Sequence, residues 1–202
     1  MKLRLIIFLV LFSLAPTAAE PVNLVFVGPP GAGKGTQAEM LEKQLRIPHI
    51  STGSMLRQNV KDRTELGLKA QSYMDAGELV PDEVIEGMLR NRLAREKSGF
   101  ILDGYPRNLE QAQTLEKIAK EFGINLTGVV SLEVEEKELV KRLTGRGRKD
   151  DTPNVIRRRL EIYHNDTAPI LNFYQKKGLL RRINGAGSFE EVNQRILHAL
   201  GD

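Results

Sequence analysis

Residues 28–36 read GPPGAGKGT, a glycine-rich segment with a lysine near its end. The apolar run at residues 22–27 predicts a buried strand before it, and residues 36–45 continue in helical register after it. Glycines let a backbone wrap so that successive N–H groups point at phosphate oxygens, and the N-terminus of the following helix adds positive potential. Lys34 can then reach terminal phosphates as a mobile charge. The segment therefore predicts a phosphate-binding loop, and its flanking strand and helix argue against a merely flexible loop.

The loop departs from the widespread pattern in which Ser or Thr follows the lysine directly. Here Gly35 stands between Lys34 and Thr36. This spacing differs from that of GTPases and motor ATPases, so the loop indicates a bound nucleotide but leaves the reaction open.

Composition limits the partners that the chain suggests. The 202 residues are 41% apolar and 28% charged, which is typical of a folded domain. The formal net charge is +4, and the arginines concentrate in residues 142–159, while the whole chain has seven Phe, four Tyr and no Trp. This pattern favours discrete phosphates over the base-stacking surfaces that bind single-stranded nucleic acid. The absence of cysteine excludes a disulfide, a thiol nucleophile and a Cys-based zinc site.

Predicted strands and helices alternate along the chain. The strands are predicted at residues 22–27, 99–102, 128–134 and 179–183, and residues 49–51 are predicted as a brief extended piece. The helices are predicted at residues 36–45, 53–60, 65–76, 82–94, 109–122, 135–143, 154–175 and 188–200. Pro169 should kink or restart the longest of them, and Ser188 should cap the last. Alternation predicts a parallel sheet covered by helices on both faces, with a site beyond the carboxyl ends of the strands.

Two arginines lie where they could hold a second phosphate. Arg57 is in the helix that follows residues 51–54, and Arg107 lies just after a predicted strand. The planar fork of arginine matches phosphate oxygens. Two such forks from different elements could hold an acceptor, although either arginine alone could equally be a solvated surface residue.

Five segments together resemble the adenylate kinase family of nucleoside monophosphate kinases. They are GPPGAGKGTQ at residues 28–37, STGSMLR at 51–57, GELVPDE at 77–83, LDGYPRNLEQA at 102–112 and GRGRKDD at 145–151. The resemblance implies an α/β P-loop NTPase fold of three layers, a parallel sheet flanked by helices, in a domain at residues 22–202. It also implies a helical AMP-binding segment at residues 51–80 and a very short lid at residues 145–151. The implied reaction is reversible transfer of the terminal phosphoryl group of ATP to AMP, giving two ADP, with Mg²⁺ bound as MgATP.

The resemblance assigns roles position by position. The implied ATP-binding residues are Gly31, Ala32, Gly33, Lys34, Gly35, Thr36, Arg142, Arg146 and Gly187. The implied AMP-binding residues are Thr52, Arg57, Glu78, Leu79, Val80, Gly104, Tyr105, Pro106, Arg107, Gln111, Arg148 and Arg159. The implied catalytic residues are Lys34, Asp103, Arg107, Arg142, Arg146, Arg148 and Arg159, with Asp103 near Mg²⁺ through water and no direct protein ligand to the metal. Asp150 and Asp151 would pair with arginines when the lid closes.

Three details refine this expectation. Thr52 together with Gln111 favours AMP over UMP or CMP, because related pyrimidine kinases typically carry Ala at the first position and an amide can pair with adenine. Only Gly147 separates Arg146 from Arg148, which indicates the short-lid type without zinc. Ser54 replaces the Asp that the family usually has.

Two alternatives to the adenylate kinase reaction stay open at this point. They are a UMP/CMP kinase and a non-catalytic ATP-binding assembly factor on the same fold.

Residues 1–21 stand apart from this domain. Lys2 and Arg4 precede an apolar stretch at residues 5–15, and Pro16 with the small residues 17–19 completes a pattern typical of a secretory signal peptide. The alternative is a mis-assigned start, with translation beginning at Val22. ATP is scarce outside the cytoplasm, so we expect a cytoplasmic protein, or an exported one if the segment is functional. We also expect a monomer without stable membrane association once residues 1–21 are absent, and three histidines in structural or surface roles.

Overall fold

The computed structural model describes residues 20–148 and 150–201. Five parallel strands form one sheet in the order β2-β3-β1-β4-β5. They are β1 Val22–Val27, β2 His49–Ser51, β3 Gly99–Asp103, β4 Gly128–Glu133 and β5 Leu180–Asn184. The predicted parallel sheet is confirmed, while the signal-like segment predicted at residues 1–21 lies outside the described residues except for Glu20 and Pro21.

Helices connect the strands. They are α1 Lys34–Leu45, α2 Thr52–Lys61, α3 Glu65–Ala76, α4 Asp82–Leu93, α5 Leu109–Glu121, α6 Glu136–Gly145, α7 Pro153–Ile162, α8 Pro169–Lys176 and α9 Phe189–Gly201. Ser188 caps α9 as expected, because its Oγ accepts from the N–H of Glu191 at 3.2 Å. In the part of the chain that the structure describes, no helix has the length and apolar character needed to cross a bilayer.

The core has two parts, one on each face of the sheet. Successive strand side chains point to opposite faces, so Val25 and Leu24 of β1 belong to different clusters, and both are fully buried. The first cluster draws on α2, α3, α4, α5 and α8, and the second on α1, α6, α7 and α9. Helices therefore cover both faces, which gives the three layers expected from the sequence.

The long helix predicted at residues 154–175 is interrupted, as expected, near Pro169. Proline lacks an N–H and crowds the preceding turn, and the chain passes from α7 to α8 through a π-helical turn at Tyr163–Thr167. The N–H of Ala168 donates to the carbonyl of Tyr163 at 2.7 Å, the five-residue spacing of that turn. The break begins six residues before the proline, and its Thr167 Oγ1 donates to the carbonyl of Arg107 at 2.6 Å.

Candidate functional site

A cavity of about 840 Å³ opens where the strands β1 and β3 end. Every residue that the sequence assigned to the site lines it, except Ala32. Ala32 packs its side chain into the core, and its backbone N–H donates to the carbonyl of Pro29 at 3.2 Å. The structure thus brings together residues that are spread over more than 150 positions of the chain.

The phosphate loop, residues 28–36, joins β1 to α1 in the conformation that its glycines allow. Gly31 and Gly33 have φ angles of 84° and 94°, in the left-handed region that side chains disfavour. A Cβ added at Gly31 would lie 2.9 Å from Cγ of Leu143, whereas one added at Gly33 would meet nothing within 4 Å. The loop is therefore constrained by α6 at Gly31 and open to the cavity at Gly33.

Lys34 begins α1 and folds back over the loop. Its Nζ donates to the carbonyl oxygens of Gly28 and Pro29 at 2.7 and 2.9 Å. Desolvation by the cavity walls lowers the pKa of Lys34 to about 8; the negative charge of Asp103 opposes this, and Arg107 and Arg146 add to it. Burial therefore destabilises the positive charge of Lys34, and a bound phosphate would stabilise it.

Asp103 ends β3 beside the phosphate loop. A Cβ added at Gly35 would lie 3.7 Å from its Oδ2, and Nε2 of His49 is also 3.7 Å from that oxygen. Burial alone would raise the pKa of Asp103, but His49, Lys34 and Arg107 outweigh it, so the pKa lies below the usual value. The carboxylate is thus ionised at neutral pH, next to the first turn of α1.

Five arginines from four parts of the chain form what we call the arginine cluster. Its members are Arg57, Arg107, Arg146, Arg148 and Arg159, and all line the cavity. Desolvation lowers the pKa of Arg57 and of Arg148, with a contribution in both cases from the charge of Arg146. Desolvation by the cavity walls also lowers the pKa of Arg107; the charge of Arg159 lowers it further, and the charge of Asp103 raises it. The side chain of Arg107 is nevertheless exposed to the cavity. Guanidinium groups that repel one another in this way form a site for a multiply charged anion.

Carboxylates of the predicted short lid hold part of this cluster. Arg146 donates Nε and Nη2 to the two oxygens of Asp151, both at 2.7 Å. Arg159 donates Nη1 to Asp151 Oδ1 at 3.1 Å and also pairs with Asp150. The side chain of Asp151 is only 2% exposed, so it is a buried anchor for two arginines. The expected pairing of both aspartates with arginines is present.

The residues expected to bind an acceptor line the part of the cavity next to α2 and α5. Arg107 donates Nε to the carbonyl of Gly104 at 2.8 Å, and Arg57 donates Nη2 to Ser54 Oγ at 3.1 Å. A Cβ at Gly104, where φ is 86°, would lie 2.6 Å from Oγ1 of Thr52, so this approach requires glycine. The two arginine forks are therefore held by neighbours on their own elements.

Arg142 lies at the opposite end of the cavity, between α6 and the loop after β5. It donates Nε to Glu138 at 2.9 Å and both terminal nitrogens to the carbonyl of Gly185 at 3.4 Å. Gly187 follows in the same loop and lines the cavity. The guanidinium group of Arg142 is thus fixed beside this loop. A planar group that stacks on a base has to be fixed in this way.

Sequence reasoning missed several supporting residues. His49, interpreted as structural or surface, has its side chain 11% exposed in the cavity wall beside Asp103. Asp82 accepts from Gln111, and Thr167 and Glu138 orient Arg107 and Arg142. Asp82 lies within the GELVPDE segment, next to residues whose backbone was expected to bind AMP, so its charge was an available signal. Glu138 lies four residues before Arg142 in α6, a spacing that pairs opposite charges on a helix. His49 and Thr167 become neighbours of Asp103 and Arg107 only through the fold.

Comparisons with known proteins match most of the chain. A family model described as adenylate kinase matches residues 26–179, which include the phosphate loop and the arginine cluster. The chain is 53% identical over 181 residues to adenylate kinase 1 of Nostoc sp., which covers 89% of this chain and 98% of the relative. It is 50% identical over 185 residues to the adenylate kinase of Thermobifida fusca, with 89% and 98% covered. It is also 50% identical over 184 residues to that of Leptospira biflexa, with 88% and 99% covered.

Proposed function

This chain belongs to the adenylate kinase family, and we propose that the residues of the cavity carry out the family's reaction as assigned below. The chain is a phosphotransferase that interconverts ATP and AMP with two ADP. The observation that carries the residue assignments is that one cavity contains both the phosphate loop and an arginine cluster built from separate elements. A loop alone would serve a nucleotide binder, whereas the added cluster suits a second phosphate.

The chemistry requires positioning and neutralisation of charge. An oxygen of the AMP phosphate attacks the γ-phosphorus of ATP, and the bond from that phosphorus to the β–γ bridging oxygen breaks as ADP leaves. The attacking oxygen is already ionised, so no general base is needed, and charge on the transferring group must be stabilised instead. Lys34 and Arg146 would hold the phosphates of ATP, and Arg148 and Arg159 would clamp the transferring group.

The acceptor is held from the opposite end. Arg57 and Arg107 would bind the phosphate of AMP, and the backbone of residues 78–80 with Thr52 would enclose its base. Gln111 would pair with adenine. Thr52 is 2% exposed and Gln111 is 3% exposed, so both are fixed parts of the wall. These two residues favour AMP over pyrimidine monophosphates.

Magnesium fits the residues present. Mg²⁺ keeps several waters and uses one or two carboxylates together with substrate phosphates. Asp103 offers one ionised carboxylate beside the phosphate loop, with its side chain 14% exposed. When Mg²⁺ is bound with ATP, Asp103 would hold it through water, and the ion would supply positive charge that neutralises the phosphates. His49, whose Nε2 lies 3.7 Å from Oδ2 of Asp103, and Lys34 both hold the pKa of this carboxyl below its usual value.

The setting of the enzyme follows from its substrates. ATP and AMP are available in the cytoplasm, so we propose that the protein acts there. We also propose that it acts as a monomer, without nucleic acid or zinc. An exported form remains the alternative if residues 1–21 direct secretion.

A coupled assay with ATP, magnesium and each nucleoside monophosphate tests the proposal. We expect rapid ADP formation with AMP, slow or none with UMP and CMP, and a loss of about 10³-fold in kcat/KM in Arg107→Ala. The matched control is Arg95→Ala, an exposed arginine outside the cavity, which should behave as the wild type. Faster turnover of UMP or CMP would support a pyrimidine monophosphate kinase. ATP binding without transfer to any acceptor would support an assembly factor.

A further inference from the structure

The amide of Gln111 is held at both ends. Oε1 accepts from the backbone N–H of Arg107 at 2.7 Å, and Nε2 donates to Oδ1 of Asp82 at 2.6 Å. Gln111 is 3% exposed and forms a wall shared by the main cavity and a smaller one of about 290 Å³ that Asp82 also lines. The amide orientation is therefore determined by these two protein partners.

The two partners are of opposite kinds. A backbone N–H can only donate, and an ionised carboxylate can only accept. Rotation of the amide by 180° would bring Oε1 of Gln111 against the carboxylate of Asp82. It would also bring Nε2 against the N–H of Arg107. Both new pairs would be repulsive, so one orientation of the amide is strongly favoured.

Asp82 is itself fixed in place. It is the first residue of α4, and its Oδ2 accepts from Nδ2 of Asn108 at 3.4 Å. Asn108 caps α5, because its Oδ1 accepts from the N–H of Gln111 at 2.7 Å. One carboxylate thus ties the start of α4 to the start of α5, from which the Gln111 side chain extends.

The fixed amide has one donor and one acceptor to spare. An amide carries two N–H hydrogens and two oxygen lone pairs, and contacts among the described residues use one of each. Adenine offers an amino donor at C6 beside an acceptor at N1. A 6-oxopurine, such as hypoxanthine or guanine, offers an acceptor at C6 beside an N–H donor at N1. An amide can pair with either edge, but the two edges require opposite orientations.

We propose that Asp82 is a positioning residue that makes the acceptor site select 6-aminopurine over 6-oxopurine monophosphates. It does so by accepting from Nε2 of Gln111, which leaves the amide in the orientation that adenine requires. This inference rests on the proposed function in one respect, namely that Gln111 meets the acceptor base.

Equilibrium binding of AMP and of inosine monophosphate to the full chain tests this. Inosine monophosphate reverses the hydrogen-bonding pattern of the edge without the 2-amino group that guanine adds. We expect the wild type to prefer AMP and Asp82→Asn to reduce that preference about tenfold, which corresponds to the loss of one charge-assisted hydrogen bond. AMP binding should weaken while inosine monophosphate binding strengthens, because an asparagine can donate as well as accept.

Matched variants separate this effect from a general loss of structure. Glu83→Gln removes the same charge from the next residue of α4, whose side chain is exposed, and should keep the wild-type preference. Asp82→Glu retains the acceptor and should recover most of it. Asp82→Ala, which removes the acceptor without adding a donor, should shift the preference in the same direction and provides a second test if Asp82→Asn does not fold.

Two results would overturn the inference. One is a preference in Asp82→Asn within about twofold of the wild type, and the other is an equal weakening of both ligands, which indicates a structural role only. Turnover of AMP by the wild type, measured in parallel, reports on the proposed function separately. Binding selectivity that depends on Asp82 in a chain without turnover would leave this inference standing and remove the proposed function.

Discussion

The phosphate loop and the arginine cluster line the same cavity but are built in different ways. The loop is nine consecutive residues, and its shape follows from glycines at positive φ. The cluster takes its five arginines from α2, α7 and the segments after β3 and α6. A contiguous site is specified by local backbone conformation, whereas a convergent site exists only when the whole fold is in place. The two should therefore respond differently to substitution.

The largest effect should come from removing a convergent charge. We expect Arg159→Ala to lower kcat about 10³-fold, because the transferring phosphoryl group would lose a fixed positive charge. Arg157→Ala, an exposed arginine two residues earlier in α7, should stay within about twofold of the wild type. Steady-state kinetics, together with the melting midpoints of both variants, would distinguish the loss of a catalytic charge from a loss of stability. Equal losses in both variants would contradict the assignment of Arg159 to the site.

Two glycines of the loop separate backbone strain from packing. At Gly31, alanine combines a positive φ with a Cβ 2.9 Å from Leu143, and we expect a loss of about 3 kcal/mol in the free energy of unfolding. At Gly33, alanine meets nothing within 4 Å, so only strain of about 1 kcal/mol remains. Urea denaturation measures both. Equal losses would mean that α6 yields at Leu143 and does not constrain the loop.

The arginine cluster acts electrostatically on the phosphate loop at Lys34, whose pKa is lowered by burial and in part by the charges of Arg107 and Arg146. Its pKa of about 8 in the free protein means that the lysine loses its proton as the pH rises through that value. Bound phosphates favour the charged form, so ATP binding near pH 8 should take up about half a proton, and little below pH 7. Calorimetry in buffers of different ionisation enthalpy measures this uptake. Lys34→Met should abolish it, and uptake that persists in this variant would assign the proton to another group.

The smallest effect should come from Ser54, where the family usually has Asp. We expect Ser54→Asp to lower the half-saturating Mg²⁺ concentration by about twofold, because a second carboxylate near the metal favours its hydrated binding. A negative charge in the first turn of α2 should also add about 0.5 kcal/mol to stability. Ser54→Ala, which removes only the hydrogen bond to Arg57, is the control. A higher Mg²⁺ requirement in Ser54→Asp would show that its carboxylate pairs with Arg57 instead.

The sequence by itself determined the elements and the loop. Periodicity and glycine positions are local properties, so four of the five strands, most helix boundaries and the break near Pro169 could be read directly, while β2 was expected only as a brief extended piece. The short segment around Arg146 is visible in the chain, but its interpretation as a short lid came from the resemblance. Arg57 and Arg107 were already candidates from their positions. The roles of the arginines in residues 142–159 came from the resemblance, since nothing local distinguishes Arg159 from Arg157.

Only the tertiary structure decided which polar groups act on one another. The pairing of Asp82 with Gln111 joins residues 29 positions apart, and that of Thr167 with Arg107 joins residues 60 apart. The π-helical turn that supplies Thr167 and the position of His49 beside Asp103 were likewise not expected from the sequence. Hydrogen bonds act over about 3 Å, so they depend on the relative placement of whole elements. That placement is set by burial of both faces of the sheet, which the sequence pattern indicates only in outline.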